Sequence, residues 1–395
     1  MADERRERPE GVPWIWMLRS RIATKGSLDA LFRLFGAKTV LPDLFFVRPL
    51  LSGAQFLDVR EAFSRIKSWN DWVLSWSGIA EKRETYAALA EEEGRLVTAR
   101  ENWIWAAAAH HMAQFLLFEE VDRKREIYRR SAACYRRGAA LLDPPAEPVA
   151  IPHGAIEMAG VLRLPSGEGK RPLVVLLCGA DGSKEEMHFF AEGFVRRGIG
   201  ALAMDGPGIG ETWDLAPLGG GDDPVGTSVF DFLSRDGRID EDRIALFGVS
   251  FGGTLGLRMA AAEPRFRAVV TLTAPYDLSA YDEYVMPVIR EQVMYLLHSD
   301  SEEGFRKWAK EFSVRGVVAK IEAPILVIGG GEDVFVPGDH AKRIFEEARG
   351  RKKMVFFQDS DHLCTEFLFD LVGKVEEWLI EIGFVSAAKR GTARP

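Results

Sequence analysis

Two hydrophobic patterns divide this chain. Between residues 57 and 142, apolar side chains recur three and four positions apart among charges, the spacing of a single buried helical face. The reading places helices over 57–78, 82–93, 98–120 and 123–142. Further on, the apolar residues gather instead into short unbroken runs, over 172–178, 200–204, 243–247, 324–328 and 353–357. Runs of that length suit strands buried on both faces, as in a parallel sheet covered by helices. Between the two patterns lies Asp-Pro-Pro-Ala-Glu-Pro-Val-Ala-Ile-Pro, 143–152, where proline disfavours helix and an extended link is expected. Two domains follow from this: a helical one over 1–145 and an α/β one over 146–395, with an excursion at 274–320 between the sixth and seventh strands.

Composition narrows the class. The chain has 395 residues, of which 47% are apolar, ample for two cores. A net charge of -8 disfavours nucleic acid and anionic membrane as partners. The N-terminus lacks the apolar segment of a signal peptide, and no uncharged run approaches the roughly 20 residues that span a bilayer, so a cytoplasmic location is expected. Three widely spaced cysteines, Cys134, Cys178 and Cys364, suit a reducing compartment and read as small packing residues; neither a metal nor an organic cofactor is expected.

The candidate chemistry centres on Gly248-Val-Ser-Phe-Gly-Gly253, which directly follows one strand-like run and directly precedes a helix-like stretch. This is the pattern of a nucleophile elbow, which makes Ser250 the candidate nucleophile. Asp333 lies in Gly-Gly-Gly-Glu-Asp after the run at 324–328, and His362 in Asp-Ser-Asp-His after the run at 353–357. A serine is a weak nucleophile by its own acidity, so His362 would take its proton and return it to the leaving group, while Asp333 fixes the imidazole tautomer. Of seven histidines only His362 follows the last strand-like run. Glu332, Asp359 and Asp361 are rivals for the acid. Asp333 is favoured by its spacing to Pro337, and Asp359 and Asp361 are expected to shape the histidine loop.

Two backbone N–H groups would stabilise the oxyanion, those of Phe251 after the nucleophile and Ala180 in Gly179-Ala-Asp-Gly182 after the run at 172–178. Lys184-Glu-Glu186 is expected to open the next helix, its acids suiting the positive end of the dipole. Asp205-Gly-Pro-Gly-Ile-Gly-Glu211 lacks the spacing of a dinucleotide fingerprint and reads as a tight turn from strand to helix.

With these motifs in place, residues 149–385 are identified as resembling the α/β-hydrolase superfamily, whose fold is a mostly parallel eight-stranded sheet flanked by helices. The trio Leu-Leu-Cys-Gly-Ala-Asp-Gly-Ser-Lys-Glu-Glu, Met-Asp-Gly-Pro-Gly-Ile-Gly-Glu and Gly-Val-Ser-Phe-Gly-Gly is similar to the branch holding FrsA-like proteins, a bacterial pseudooxynicotine hydrolase and fungal hydrolases that shorten polyketide precursors. The last two groups cleave a carbon–carbon bond beside a ketone and carry a helical N-terminal domain. The resemblance implies Ser250, Asp333 and His362 as triad, Ala180 and Phe251 as oxyanion donors, and homodimerisation through the N-terminal helices. It usually brings two glycines where this chain has Cys178-Gly179, a departure in the oxyanion loop. A further acid that assists carbon–carbon cleavage has no motif here, although Asp282 and Glu283 fall in the corresponding region.

The expected partner is thus a small acyl, ketone or ester substrate. Carbon–carbon cleavage is favoured; a carboxylesterase, an acyl transferase or cyclase using the same triad, and a non-catalytic binding protein are the alternatives. Seven of ten tryptophans precede the link, among them Trp14, Trp16, Trp103 and Trp105; Trp69, Trp72 and Trp76 share one helical face and read as core, with an aromatic substrate surface as the competing role. His110 and His111 point about 100° apart on a helix, so a shared metal is not expected, though either could line the mouth. Tyr276, Tyr281, Tyr284 and Trp308 could complete the pocket wall or pack against the helices.

Overall fold

The computed structural model describes residues 25–115, 117–219, 224–279 and 287–386. Trp14, Trp16, Tyr281, Asp282, Glu283 and Tyr284 lie outside them. Among the described residues, six helices of eight residues or more come first: α1 (Lys25–Phe35), α2 (Leu44–Leu51), α3 (Phe56–Arg65), α4 (Trp69–Glu92), α5 (Leu96–Gln114) and α6 (Val121–Ala140). The break between the helices of the first expected segment falls at Ile66–Ser68 and not after Gly78. Ser68 accepts a hydrogen bond from the Asp71 N–H and starts α4, a 24-residue helix that runs through Gly78. Gly78 is tolerated because it faces open space, and the helix is held by its buried face. Trp72 and Trp76 are fully buried there beside Phe63 and Met112, and Trp72 donates to the Met112 carbonyl at 2.7 Å, so the tryptophan stripe is core.

Among the described residues eight strands follow: β1 (Glu147–His153), β2 (Ile156–Arg163), β3 (Arg171–Leu177), β4 (Gly200–Met204), β5 (Ile239–Val249), β6 (Ala268–Leu272), β7 (Ile325–Gly330) and β8 (Lys352–Phe357). They form one sheet in the order β1-β2-β4-β3-β5-β6-β7-β8, antiparallel only where β2 meets β1 and β4. The expected extended link is therefore partly a strand. Pro148 and Pro152 fit in β1 because it is the edge strand, where a missing N–H costs no ladder bond. Packed around the sheet are α7 (His188–Val195), α8 (Val225–Ser234), α9 (Phe251–Ala262), α10 (Pro287–Leu296), α11 (Glu302–Phe312), α12 (Asp339–Glu347) and α13 (Leu368–Glu381).

The parallel strands β3 to β7 are apolar along almost their whole length because helices cover both faces. Their register lines up the carboxyl ends: Leu177 lies beside Met204 and Gly248, and Val249 beside Leu272. Loops leaving β3, β4, β5, β7 and β8 consequently meet along one rim, the place where an open α/β sheet presents its ligand site. The helices before β1 have apolar clusters of their own and reach this rim through α2, α5 and α6.

Candidate active site

The turn from β5 to α9 forces Ser250 to φ 51°, ψ -124°, a left-handed backbone that a serine rarely adopts. Its cost is met by close packing that only glycine permits. A Cβ at Gly248 would lie 2.2 Å from the Gly252 carbonyl oxygen, and one at Gly252 the same distance from the Leu177 carbonyl oxygen. The Ser250 N–H donates to the Leu272 carbonyl at 2.7 Å, tying the turn to β6. Phe251 stacks on Phe312 and lies against Trp308, so the excursion backs the elbow from behind. Trp308 is a packing residue, and the Tyr276 hydroxyl donates to Glu347 on α12.

The structure brings together all three residues of the expected triad. His362 Nε2 lies 3.1 Å from Ser250 Oγ, and its Nδ1 lies 2.7 Å from Asp333 Oδ2. The other Asp333 oxygen accepts the N–H groups of Phe335 at 2.9 Å and Val336 at 2.8 Å, which fixes the carboxylate at the tip of its turn. Asp361, one of the rivals, caps the turn that starts at His362 and accepts from the Thr365 N–H and hydroxyl. Leu363 and Cys364 both take positive φ to aim His362. Burial alone would pull the His362 pKa down, but the charge and hydrogen bond of Asp333, helped by Asp181 and Asp361, leave it raised. Burial holds the thiols of Cys178 and Cys364 protonated, the latter pushed up to about 12, which suits packing and not nucleophilic attack.

Phe251 directly follows the serine, and the loop after β3 that carries Ala180 passes beside it. Phe251 opens α9, where no preceding turn offers its N–H a carbonyl. The loop after β3 runs so close that a Cβ on Gly179 would lie 3.5 Å from Ser250 Cβ. This loop is held by polar contacts that the sequence did not reveal. Lys184–Met187 is a tight 3-10 turn that runs directly into α7 at His188, so these residues open the helix through a 3-10 first turn. Glu186 and Asp181 also pair with Arg48 of α2, at 2.6 and 2.7 Å. Burial, the largest single influence, raises the Glu186 pKa, but Arg48 and His111 with their hydrogen bonds together outweigh it and leave it well below the usual carboxylate range.

His111 lies 3.1 Å from Glu186, and His110 is hydrogen-bonded to Glu84 on the other side of α5; neither histidine lines the rim alone. The second Glu84 partner is the Cys134 thiol at 3.2 Å; the half-buried Glu84 and the buried His110 and Cys134 place their ligand atoms within 4.8 Å of one another, and the remaining carboxylate oxygen takes Arg130. The Asp205 turn is tight as expected, with positive φ at Gly208 and Gly210. Asp205 itself is fully buried and binds the Lys184 N–H at 2.8 Å and the Lys184 ammonium at 2.9 Å, while Tyr128 of α6 reaches the same cluster. Such long-range pairs leave no local pattern; the only sequence signal is a run of charges beside an apolar strand.

Sheet order, strained elbow and the serine–histidine–aspartate chain recur together in one class, and this chain is a serine hydrolase of the α/β-hydrolase superfamily. Comparison with known proteins agrees. Residues 226–381 match the prolyl oligopeptidase family. The 2,6-dihydropseudooxynicotine hydrolase of Paenarthrobacter nicotinovorans is 29% identical over 339 residues, covering 85% of this chain and 90% of the relative. A 20-hydroxy-prefusarin hydrolase of Gibberella moniliformis is 28% identical over 344 residues, covering 74% and 82%. The crystal structure of the 2,6-dihydroxy-pseudo-oxynicotine hydrolase superposes with a TM-score of 0.77, over 85% of this chain and 95% of that one, at 29% identity. No helix among the described residues is long and apolar enough to cross a membrane.

Proposed function

We propose that this enzyme hydrolyses a carbon–carbon bond next to a ketone in a β-diketone-like or aryl ketone substrate. Ser250 Oγ attacks the carbonyl while His362 takes its proton, and the N–H groups of Ala180 and Phe251 receive the oxyanion. Collapse breaks the carbon–carbon bond, its electron pair leaves as an enolate, and the His362 imidazolium protonates the departing carbon. Water activated by His362 then frees the acid from Ser250. The observation that carries this reading is the hydrogen-bond chain from Ser250 through His362 to the buried Asp333. Support for a carbon leaving group comes from the resemblance across helices and sheet alike, and from the helical roof over the rim, since protonating carbon requires bulk water to be kept out.

The test is paired turnover by wild type and Ser250→Ala on p-nitrophenyl esters of rising acyl length and on aryl β-diketones. Diketone cleavage that far exceeds ester cleavage and vanishes in the variant is expected; ester cleavage alone reduces the assignment to a carboxylesterase. A cytoplasmic location and a homodimer through the N-terminal helices belong to the same proposal. Three buried free cysteines support the first, and the exposed apolar side chains of Leu34, Phe35, Phe56 and Leu57 the second.

A further inference from the structure

The loop that carries Ala180 is gripped from both sides by elements outside the sheet. On one side stands Arg48 of α2, whose side chain is only 13% exposed. Its Nε and one terminal nitrogen donate to the two oxygens of Glu186 at 2.8 and 2.6 Å, and its other terminal nitrogen donates to Asp181 Oδ2 at 2.7 Å. A longer bond of 3.3 Å reaches the Asp181 carbonyl itself. The guanidinium lies over the Phe115 ring, 4.6 Å from its centroid. Phe115 is in turn placed by the buried Lys124, whose ammonium donates to the carbonyls of Gln114 and Phe115. From the other side Gln292 of α10, 5% exposed, donates its amide to the Ala180 carbonyl at 2.9 Å.

We infer that Arg48 and Gln292 are positioning residues that hold the oxyanion loop in its catalytic geometry, so that the helices and the excursion build the catalytic hole as well as roofing it. The inference rests on Ala180 being an oxyanion donor for Ser250. Asp181 adds an electrostatic reason. Its carboxylate directly follows Ala180, where an unpaired negative charge would oppose a forming oxyanion, and Arg48 offsets that charge. The planar fork matters because it binds both carboxylates at once, which a lysine ammonium cannot do with the same geometry.

The probe is a small alkyl fluorophosphonate, which phosphonylates an activated serine with loss of fluoride and places its phosphoryl oxygen in the oxyanion hole. It is too small to depend on contacts with the roof. Intact mass and peptide mapping follow labelling of Ser250 in wild type, Ser250→Ala, Arg48→Lys and Gln292→Ala, with circular dichroism to verify folding. Each positioning variant is expected to lower the maximal labelling rate roughly 10-fold or more, with the half-saturating probe concentration within about 3-fold of wild type. Gln292→Ala removes one neutral hydrogen bond and carries the test if Arg48→Lys does not fold. Folded variants that label at the wild-type maximal rate, or change only the half-saturating concentration, overturn the bracing role. Wild type left unlabelled at Ser250 overturns the catalytic reading beneath it.

Discussion

Replacing Asp333 by asparagine changes one atom and should disable the enzyme while leaving its fold intact. Oδ1 of Asp333 accepts two backbone N–H groups, and Oδ2 faces His362 Nδ1. An asparagine keeps the first pair only by pointing its oxygen at Phe335 and Val336, which turns its NH2 towards His362. That donor forces the imidazole proton onto Nε2, against Ser250, and the base is lost. The flipped amide would restore the histidine tautomer but set NH2 against two N–H donors, and each buried unsatisfied group costs about 1–3 kcal/mol. The productive flip is then a minority of at most about 3%. The carboxylate charge that stabilises the imidazolium is gone as well, an interaction on the order of 4 kcal/mol at about 4 Å and an effective dielectric of about 20. Together these losses correspond to a fall in kcat of roughly 10⁴-fold or more. The assay is steady-state turnover beside a thermal melt of the same preparation. A folded Asp333→Asn enzyme that keeps a tenth of wild-type kcat would refute the assignment of Asp333 as the group that orients His362.

Four further outcomes follow from the same geometry. Gly252→Ala should abolish turnover, because its methyl would meet the Leu177 and Cys178 carbonyl oxygens at 2.2 and 2.4 Å, whereas Gly78→Ala meets nothing within 4 Å and should stabilise the protein by roughly 0.5–1 kcal/mol; melts and kcat of both variants test the contrast. The acid limb of kcat/KM should lie above the ordinary histidine value of about 6.5, since the base must be neutral and Asp333 holds its pKa up against burial; a midpoint below that value would contradict the reading. Burial, with Arg343 beside it, lowers His340 to about 4, and its Nδ1 accepts the Tyr276 N–H at 2.9 Å. The unfolded chain therefore binds the extra proton: the contribution of His340 to stability is complete above pH about 6.5 and is lost as pH falls towards 4, so His340→Asn should lose less melting temperature than wild type between pH 7 and 5. Light scattering should give about twice 44.1 kDa for wild type, and Phe35→Glu, at a position 61% exposed on α1, should shift the mass towards the monomer; a wild-type monomer would end the dimer proposal.

The parts of this molecule that could be read in advance are those encoded by neighbours in sequence. Gly248, Ser250 and Gly252 announce the elbow because the turn can be made in no other way, and Asp333 and His362 each follow an apolar run whose composition marks a buried strand. Helix boundaries were less legible. Gly78 suggested a break, but burial of Trp72, Trp76 and Ile79 outweighs the cost of one exposed glycine, and Ser68 supplies the start. β1 was hidden in a proline-rich tract because its pairing with β2 is a tertiary fact about an edge. The links from Arg48 to Asp181 and Glu186 span 133 and 138 residues and from Tyr128 to Asp205 span 77, so no local spacing could report them.

The central claim is that Ser250 becomes acylated in the step that breaks a carbon–carbon bond. The most direct measurement is acid-quenched mixing of enzyme with an aryl β-diketone, followed by intact-mass and peptide analysis. The account predicts a transient mass increase equal to one acyl fragment, confined to the peptide bearing Ser250 and absent from Ser250→Ala. Diketone cleavage by wild type with no acyl group on Ser250 at any quench time, or cleavage that persists in Ser250→Ala, would contradict it.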